Sequence, residues 1–320
     1  MRKRNLILTA AIILTSMLFV QCSKDEDTGM EQKGQVSVKI TDAPSDDANI
    51  QGTFITIADV KIDGQSVEGF TKQTIEVSAY RNGEAKLVMN DEVAAKTYNS
   101  VTIVLDNEGD ASGEVPGCYV LTNDDKKHNL SASSPSATEI SFNRDFTVDA
   151  NGEASMVIDF DLRKLVVRDT TAAAGESQYK FVTTAEMANS VRMVQENNSG
   201  EISGKVNTMF NTENDMYVFA YHKDDFDMGM ESSGQGNSNV MFANAVTSAK
   251  VKTDGSYRLS FLDEGDYEIH VASFEKDNGG HVMFNGMVDA SSAMSGMMMN
   301  SITVSANSNT ELNIDITGLL

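Results

Sequence analysis

One acidic segment carries residues suited to holding a cation. Asp225, Asp227 and Glu231 lie within residues 224–231, at part of the spacing of a calcium-binding loop. Carboxylate oxygens are the hard ligands that Ca²⁺ prefers. The glycine falls one place early and the twelfth position lacks a glutamate, so the segment also fits a solvated acidic loop. We predict such a loop, with a calcium site as the alternative.

A second group of carboxylates, Asp42, Asp46 and Asp47, surrounds Pro44. An aspartate close before a proline commonly accepts hydrogen bonds from backbone N–H groups and so fixes a turn. This pattern favours a structural role for Asp42. The same three carboxylates could instead supply oxygen ligands for calcium, although no complete calcium loop is present.

Soft ligands are concentrated in the C-terminal third of the chain. The protein has 18 methionines and four histidines, and three of those histidines lie beyond residue 220. The residues concerned are Met228, Met230, Met283, Met287, Met294, Met297, Met298, Met299, His222, His270 and His281. Thioether and imidazole groups suit Cu(I), but methionine also fills cores and adaptable surfaces. A metal-handling module of the cell envelope is therefore the alternative function.

Motifs for catalysis are missing from the sequence. It contains no Gly-x-Ser-x-Gly, no His-Glu-x-x-His and no phosphate-binding glycine loop. Carboxylate pairs are uninformative because Asp and Glu number 47. Cys118 has no base nearby in the sequence, which favours a small buried residue over a reactive thiol. We predict a protein that is not an enzyme and that has no cofactor, calcium excepted.

The N-terminus is built like a secretory signal. Residues 2–4 are basic and residues 6–20 are mostly apolar. This apolar run is shorter than an ordinary transmembrane helix requires. The end of this run resembles a lipoprotein lipobox, although Phe19 and Gln21 depart from its preferred residues. The resemblance implies that residues 1–21 are removed and that Cys22 is lipidated. The partner implied is a membrane, held through the lipid.

An acidic, polar segment follows Cys22. Residues 22–33 lack periodicity and are predicted to be a tether. Their acidic start resembles the surface-export signal of Bacteroidetes lipoproteins, which implies display at the outer membrane surface. The formal net charge of −22 disfavours nucleic acid as a partner.

Apolar residues alternate with polar ones at a period of two, the pattern of half-buried strands. The clearest runs lie at residues 36–40, 54–62, 101–105, 156–160 and 312–316. Asn151-Gly152 is predicted to be a hairpin turn. Only residues 91–96 and 183–190 are compatible with helix. The sequence predicts an all-β protein with two antiparallel β-sandwich domains, at residues 34–195 and 200–320.

The first of these domains carries a more specific pattern. A strand from Gly34 runs into Thr41-Asp42-Ala43-Pro44, and further characteristic segments lie at 96–106, 157–162 and 179–194. Together they resemble the bacterial family called domain of unknown function 4382. The resemblance covers about residues 34–195 and implies no known activity.

The second domain resembles a transthyretin-like or carboxypeptidase-regulatory-like β-sandwich. The segments that carry this likeness are 200–206, 254–257 and 262–267. It implies an accessory, adhesive or carbohydrate-associated module. Trp is absent, which weakens a stacking platform for sugars, although eight Tyr remain.

A modification site and an overall function complete the expectation. Asp169-Thr170-Thr171 resembles a Bacteroidetes O-glycosylation acceptor, with Thr170 as the modified residue. The predicted function is a surface lipoprotein for non-catalytic binding or adhesion, with a glycan or an envelope protein as its partner.

Overall fold

The all-β prediction is confirmed by the computed structural model. It describes residues 32–43, 45, 47–130, 137–173, 175–208, 214–277 and 282–319. Cys22, the predicted signal and almost all of the predicted tether lie outside the described residues. None of the helices in these described ranges is long and apolar enough to cross a membrane.

The first sandwich, residues 33–195, consists of two main sheets and a small hairpin. Its strands are β1 (Lys33–Ala43), β2 (Ile50–Ile62), β3 (Gln65–Ser66), β4 (Gln73–Glu76), β5 (Lys86–Ala94), β6 (Thr97–Asp106), β7 (Tyr119–Thr122), β8 (Lys127–Asn129), β9 (Ala137–Thr147), β10 (Glu153–Asp161), β11 (Val166–Arg168), β12 (Tyr179–Phe181) and β13 (Val191–Gln195). Its helices are α1 (Leu162–Leu165) and α2 (Thr184–Ser190).

The two main sheets enclose one apolar core. The smaller sheet has the order β13-β10-β1-β5, and the larger has the order β8-β7-β2-β6-β9. Val38 of β1, Ile57 of β2 and Ile103 of β6 are fully buried members of this core. The period-two pattern therefore identified the inward faces correctly at these strands.

Residues 91–96 were predicted to be helix-compatible, and that prediction is wrong. Residues 91–94 belong to β5, which pairs with β1 in register Val36↔Asp91. A short segment gains little from its own helix propensity, so pairing along the otherwise open edge of β1 decides its structure. The second helical prediction is confirmed: α2 begins after Thr183, which forms a capping box with Glu186.

The turn at Asn151-Gly152 is confirmed, but the predicted hairpin is wrong. Asn151 has a φ of 59°, as such a turn requires. The turn joins β9 of the larger sheet to β10 of the smaller one. There β10 pairs in parallel with β1, with Thr41 opposite Asp159 and Ala43 opposite Asp161. Local periodicity finds strands but does not choose their partners, so the expectation of purely antiparallel sheets fails at this pair.

The C-terminal β-region, residues 199–319, follows a single 3₁₀ turn at Glu196–Asn198. Its elements are β14 (Ser199–Thr208), β15 (Asp215–His222), α3 (Met228–Glu231), β16 (Thr247–Lys250), β17 (Ser256–Asp263), β18 (Gly265–Lys276), β19 (Val282–Ser292), β20 (Ile302–Val304), β21 (Asn309–Glu311) and β22 (Ile314–Leu319). Its main strand order is β16-β15-β18-β19-β22-β14-β17.

Strand β15 is buried on both faces. Val218 and Ala220 face one core, while Tyr217, Phe219 and Tyr221 face a second, aromatic one. Lys33–Leu320 forms one compact unit. The division into two domains near residue 196 stays a prediction.

Candidate functional site

Buried cations join the first sandwich to the C-terminal β-region. Arg163 and Lys164 lie in α1, a single turn that Asp161 caps by accepting from the Lys164 backbone N–H at 3.3 Å. Arg163 donates to the carbonyl oxygens of Met241 and, at 3.0 Å, Phe242. Lys164 Nζ donates to the Ala245 carbonyl oxygen at 2.9 Å and to Asn189 O at 3.1 Å. Segment 241–245 is thereby bound to the end of β10.

Two arginines reach the C-terminal β-region from other strands. Arg192 of β13 donates to the carbonyl oxygens of Ser260 and Phe261 and to Asp159 Oδ2 at 2.6 Å. Arg144 of β9 makes two bonds of 2.8 Å to the carboxylate of Asp263. Such charge-assisted bonds are directional and strong, so they fix the relative orientation of the two regions. We call these four cations and their acceptors the joint.

Asp42 lies beside the joint, opposite Phe160 of β10, and does not hold the turn predicted for it. It is buried, and neither carboxylate oxygen makes a hydrogen bond of ordinary geometry. Burial, and then the charges of Asp159 and Asp161, hold the pKa of Asp42 well above its usual value. The Leu162 backbone N–H and Arg81 lower this pKa, but their effect is smaller than that of burial and the two neighbouring carboxylates.

The three carboxylates around Pro44 are not seen to converge. Pro44 and Asp46 lie outside the described residues. Asp47 accepts hydrogen bonds from the Asn49 backbone N–H and the Tyr179 hydroxyl, both at 2.9 Å. Asp47 therefore supports the β11–β12 hairpin, while Asp42 is buried beside the joint. Calcium binding by this group stays a prediction.

The carboxylates of segment 224–231 diverge. Asp225 is exposed, while Asp227 caps α3 by accepting from the Met230 backbone N–H at 2.9 Å. Glu231 is only 1% exposed and accepts from the Tyr221 hydroxyl at 2.9 Å and from Asn244 Nδ2 at 2.6 Å. The predicted solvated loop is therefore wrong at Glu231, whose carboxylate satisfies buried donors rather than facing water.

Metal binding stays a prediction for the soft ligands as well. Within the described ranges, no three His, Cys, Asp or Glu side chains come together in a metal-binding arrangement. His270 stacks on Phe226 with ring centroids 3.6 Å apart. Met294 and Met298 are exposed, and His281 lies outside the described residues.

Cys118 is the small buried residue that its sequence context indicates. It is fully buried, and its thiol lies 3.5 Å from the Asp106 carbonyl oxygen. Burial raises the pKa of the Cys118 thiol to about 12, so the thiolate is not populated near neutral pH. A nucleophilic role has no support in this geometry.

A groove of about 900 Å³ opens between the two regions beside the joint. The β11–β12 hairpin and α2 form one wall, and residues 237–242 with the start of β19 form the other. The polar lining includes Asp47, Arg168, Asp169, Lys180, Ser238 and Asn239. The apolar lining includes Val167, Phe181, Met187, Val240, Met283 and Phe284. Its size is that of typical ligand pockets, about 300–1,000 Å³.

Contacts across the groove set its width. Glu186 of α2 accepts from the Ser238 backbone N–H at 2.9 Å and from its hydroxyl at 2.6 Å. Burial would raise the pKa of Glu186, but the bonds from Ser238 and Thr183 prevail and lower it to about 2. Within the second wall, Phe284 packs edge-on against Phe242, with ring centroids 5.4 Å apart. Thr170 is exposed beside the groove, in the turn that Asp169 holds by accepting from the Thr171 N–H.

Only some of the residues that the sequence motifs indicate lie at the joint or at the groove. Asp47 and Thr170 both border the groove. No sequence pattern indicated the cations of the joint, and Glu231 was predicted as a solvated-loop carboxylate or calcium ligand rather than a buried acceptor, because lysine, arginine and glutamate normally indicate surface. The family resemblance can be tested directly. Residues 33–182 match the family Domain of unknown function (DUF4382). The transthyretin-like character of the C-terminal β-region stays a prediction.

Three of the solved structures compared with this chain are similar to it only weakly. A leucine-rich repeat protein from Bacteroides thetaiotaomicron is 14% identical to this chain. The aligned region covers 89% of this chain and 26% of that protein, with a TM-score of 0.23. The TIE protein of Bacillus anthracis is 12% identical, with 89% and 34% covered and a TM-score of 0.20. A putative cell adhesion protein from Parabacteroides distasonis is 12% identical, with 90% and 100% covered and a TM-score of 0.19.

The chain thus spans about a quarter of the first of these proteins and about a third of the second. TM-scores this low do not establish a shared fold. No curated protein matches the sequence.

Proposed function

We propose that this protein is a lipoprotein of the outer membrane surface, tethered through Cys22, that binds its ligand without transforming it. The observation that carries the proposal is the groove between the first sandwich and the C-terminal β-region. Both walls are held in place by the joint and by the Glu186–Ser238 contacts. A site that is rigid before binding loses little conformational entropy when it is occupied.

The lining of the groove suits an amphipathic ligand such as a glycan or a segment of an envelope protein. Met283 and the half-buried Phe284 offer apolar surface, and Phe284 can supply the aromatic contact that sugar rings favour. Arg168 and Lys180 offer hydrogen-bond donors on the opposite wall. The mixture of a small apolar surface with a few directed polar groups is typical of binding pockets.

Display at the cell surface is tested by protease treatment of intact cells. We expect the wild-type chain to fractionate with the outer membrane and to be degraded from outside. A Cys22→Ala variant should leave the membrane fraction or stay unprocessed, because its anchor is lost. A periplasmic protein serves as the control for cell integrity. A wild-type chain that is anchored yet resists the protease would place it on the periplasmic face and contradict surface display.

Binding in the groove is tested with two exposed methionines. Met283 is 46% exposed in the groove wall, and Met298 is 65% exposed and does not line the groove. Met283→Arg places a long charged side chain in the groove, so glycans retained by the wild-type chain on a glycan array should be lost. Met298→Arg should retain them. Equal retention by both variants would exclude the groove, and no retained glycan by the wild type would exclude glycans in favour of a protein partner.

A further inference from the structure

Two adjoining clefts share the wall formed by Arg81, Asn82 and Lys252. Their volumes are about 870 Å³ and about 1050 Å³. The connection between β4 and β5 contributes Ala79, Arg81, Asn82 and Glu84, and the rest of the lining comes from the C-terminal β-region. None of the lining residues also lines the groove. We call the two clefts the basic trough.

Charge sets the trough apart from the rest of this acidic chain. Its cationic lining is Arg81, Lys205, Lys250, Lys252, Arg258 and Lys276. Its acidic lining is Glu84, Asp215, Asp254 and Glu311, so cations are in excess. The whole chain has a formal net charge of −22. A local excess of cations on such a protein attracts an anionic ligand to the trough.

Three of these cations make no ion pair with a described carboxylate. Lys250 and Lys276 both pair with Asp215, at 2.7 and 3.2 Å, and Arg258 lies 3.5 Å from Glu201. Among the described lysines and arginines, those without an ion pair are Arg81, Lys86, Arg168, Lys205, Lys223 and Lys252. Half of these line the trough, in a chain where carboxylates are abundant.

The backbone around these cations is held in place. The Thr41 hydroxyl donates to the carbonyl oxygens of Tyr80 and Glu84, at 3.1 and 2.8 Å, which fixes the loop that carries Arg81. In the same loop Gly83 has a φ of 88°, and a Cβ there would lie 3.1 Å from Ser260 Oγ. The Lys205 backbone N–H donates to Asn313 Oδ1 at 2.9 Å. The cations therefore project from fixed positions, which favours specific binding over diffuse attraction.

The remaining lining identifies the class of anion. It is rich in amide and hydroxyl groups, namely Asn82, Ser203, Asn207, Asn214, Asn309 and Asn313. Such groups match the alternating donors and acceptors of sugar hydroxyls. The one aromatic residue, Tyr257, is 2% exposed and donates its hydroxyl to Leu312 O, so the described lining offers no ring for base stacking. We infer that the basic trough binds an acidic oligosaccharide, with sugar carboxylates at Arg81, Lys205 and Lys252.

The test uses a galacturonate hexamer and the full chain purified in detergent. We expect calorimetry to show saturable binding that weakens as salt rises, and much weaker binding of the fully methyl-esterified hexamer. In Lys205→Gln/Lys252→Gln, the dissociation constant should rise at least about tenfold. The control is Lys86→Gln/Lys223→Gln, which removes the same charge from unpaired lysines outside the trough and should leave binding unchanged.

Several outcomes overturn the inference. The inference is wrong if the wild-type chain does not bind the galacturonate hexamer. Equal losses in the two double variants would show that net charge alone governs binding. Equally tight binding of a single-stranded DNA of the same charge would assign the trough to polyanions in general. The Met283→Arg variant should bind the hexamer as the wild type does, which separates this site from the groove.

Discussion

Replacing Arg163 by methionine is expected to lower the free energy of unfolding by about 3–5 kcal/mol. The Arg163 side chain is 3% exposed and lies 3.4 Å from Asp161. Its guanidinium also lies over the Phe219 ring, 5.2 Å from the centroid. Methionine fills much of the same volume but leaves a buried carboxylate with one cation fewer and two carbonyl oxygens without their donor.

Urea denaturation of the full chain measures this loss. Arg168→Met is the matched control, because Arg168 is exposed at the end of β11 and makes no ion pair with any described carboxylate. The control should change stability by no more than about 0.5 kcal/mol. A loss in Arg163→Met as small as that of the control would show that the joint does not hold the two regions together. A separate early transition would show that the C-terminal β-region loosens first.

Arg163 also shows which contacts cannot be predicted from the sequence. The strands that form the first core were found from local alternation, since each apolar residue reports its own face. The partners of Arg163 and Lys164 in the C-terminal β-region are backbone carbonyls 78 to 81 positions further along the chain. A carbonyl has no sequence signature, so no pattern could connect these residues. The joint, and with it one border of the groove, depends on tertiary contacts alone.

The prediction for the acidic segment at residues 224–231 was wrong at Glu231 for a related reason. In so acidic a chain, Glu231 has the same sequence appearance as its solvated neighbours. Burial is decided by Tyr221, Gln235 and Asn244, which converge on it from separate parts of the C-terminal β-region. Composition gives the sign of the net charge, and it could not reveal which carboxylate is buried.

Replacing Asp42 by asparagine is expected to stabilise the protein at neutral pH, by about 2 kcal/mol. The folded protein raises the pKa of Asp42, first through burial and then through Asp159 and Asp161. Between the unfolded value of 3.8 and the higher folded value, the native state binds more protons than the unfolded chain. Stability therefore falls as the pH rises through this window. Asparagine cannot ionise, and its amide can donate to the carboxylates that repel Asp42.

The difference in stability between Asp42→Asn and the wild type should thus be small below pH 3.8, grow as the pH rises and become constant above the folded pKa. Urea denaturation across this range measures the difference, in which the contributions of titrating groups remote from Asp42 largely cancel. Asp47→Asn is the control that should lose stability, because each oxygen of the Asp47 carboxylate accepts a hydrogen bond and asparagine replaces one of these oxygens by a donor. A pH-independent difference, or a loss of stability at neutral pH, would contradict the buried, unpaired state of Asp42. The expected gain would mean that the wild-type carboxyl costs stability, as residues kept for function commonly do.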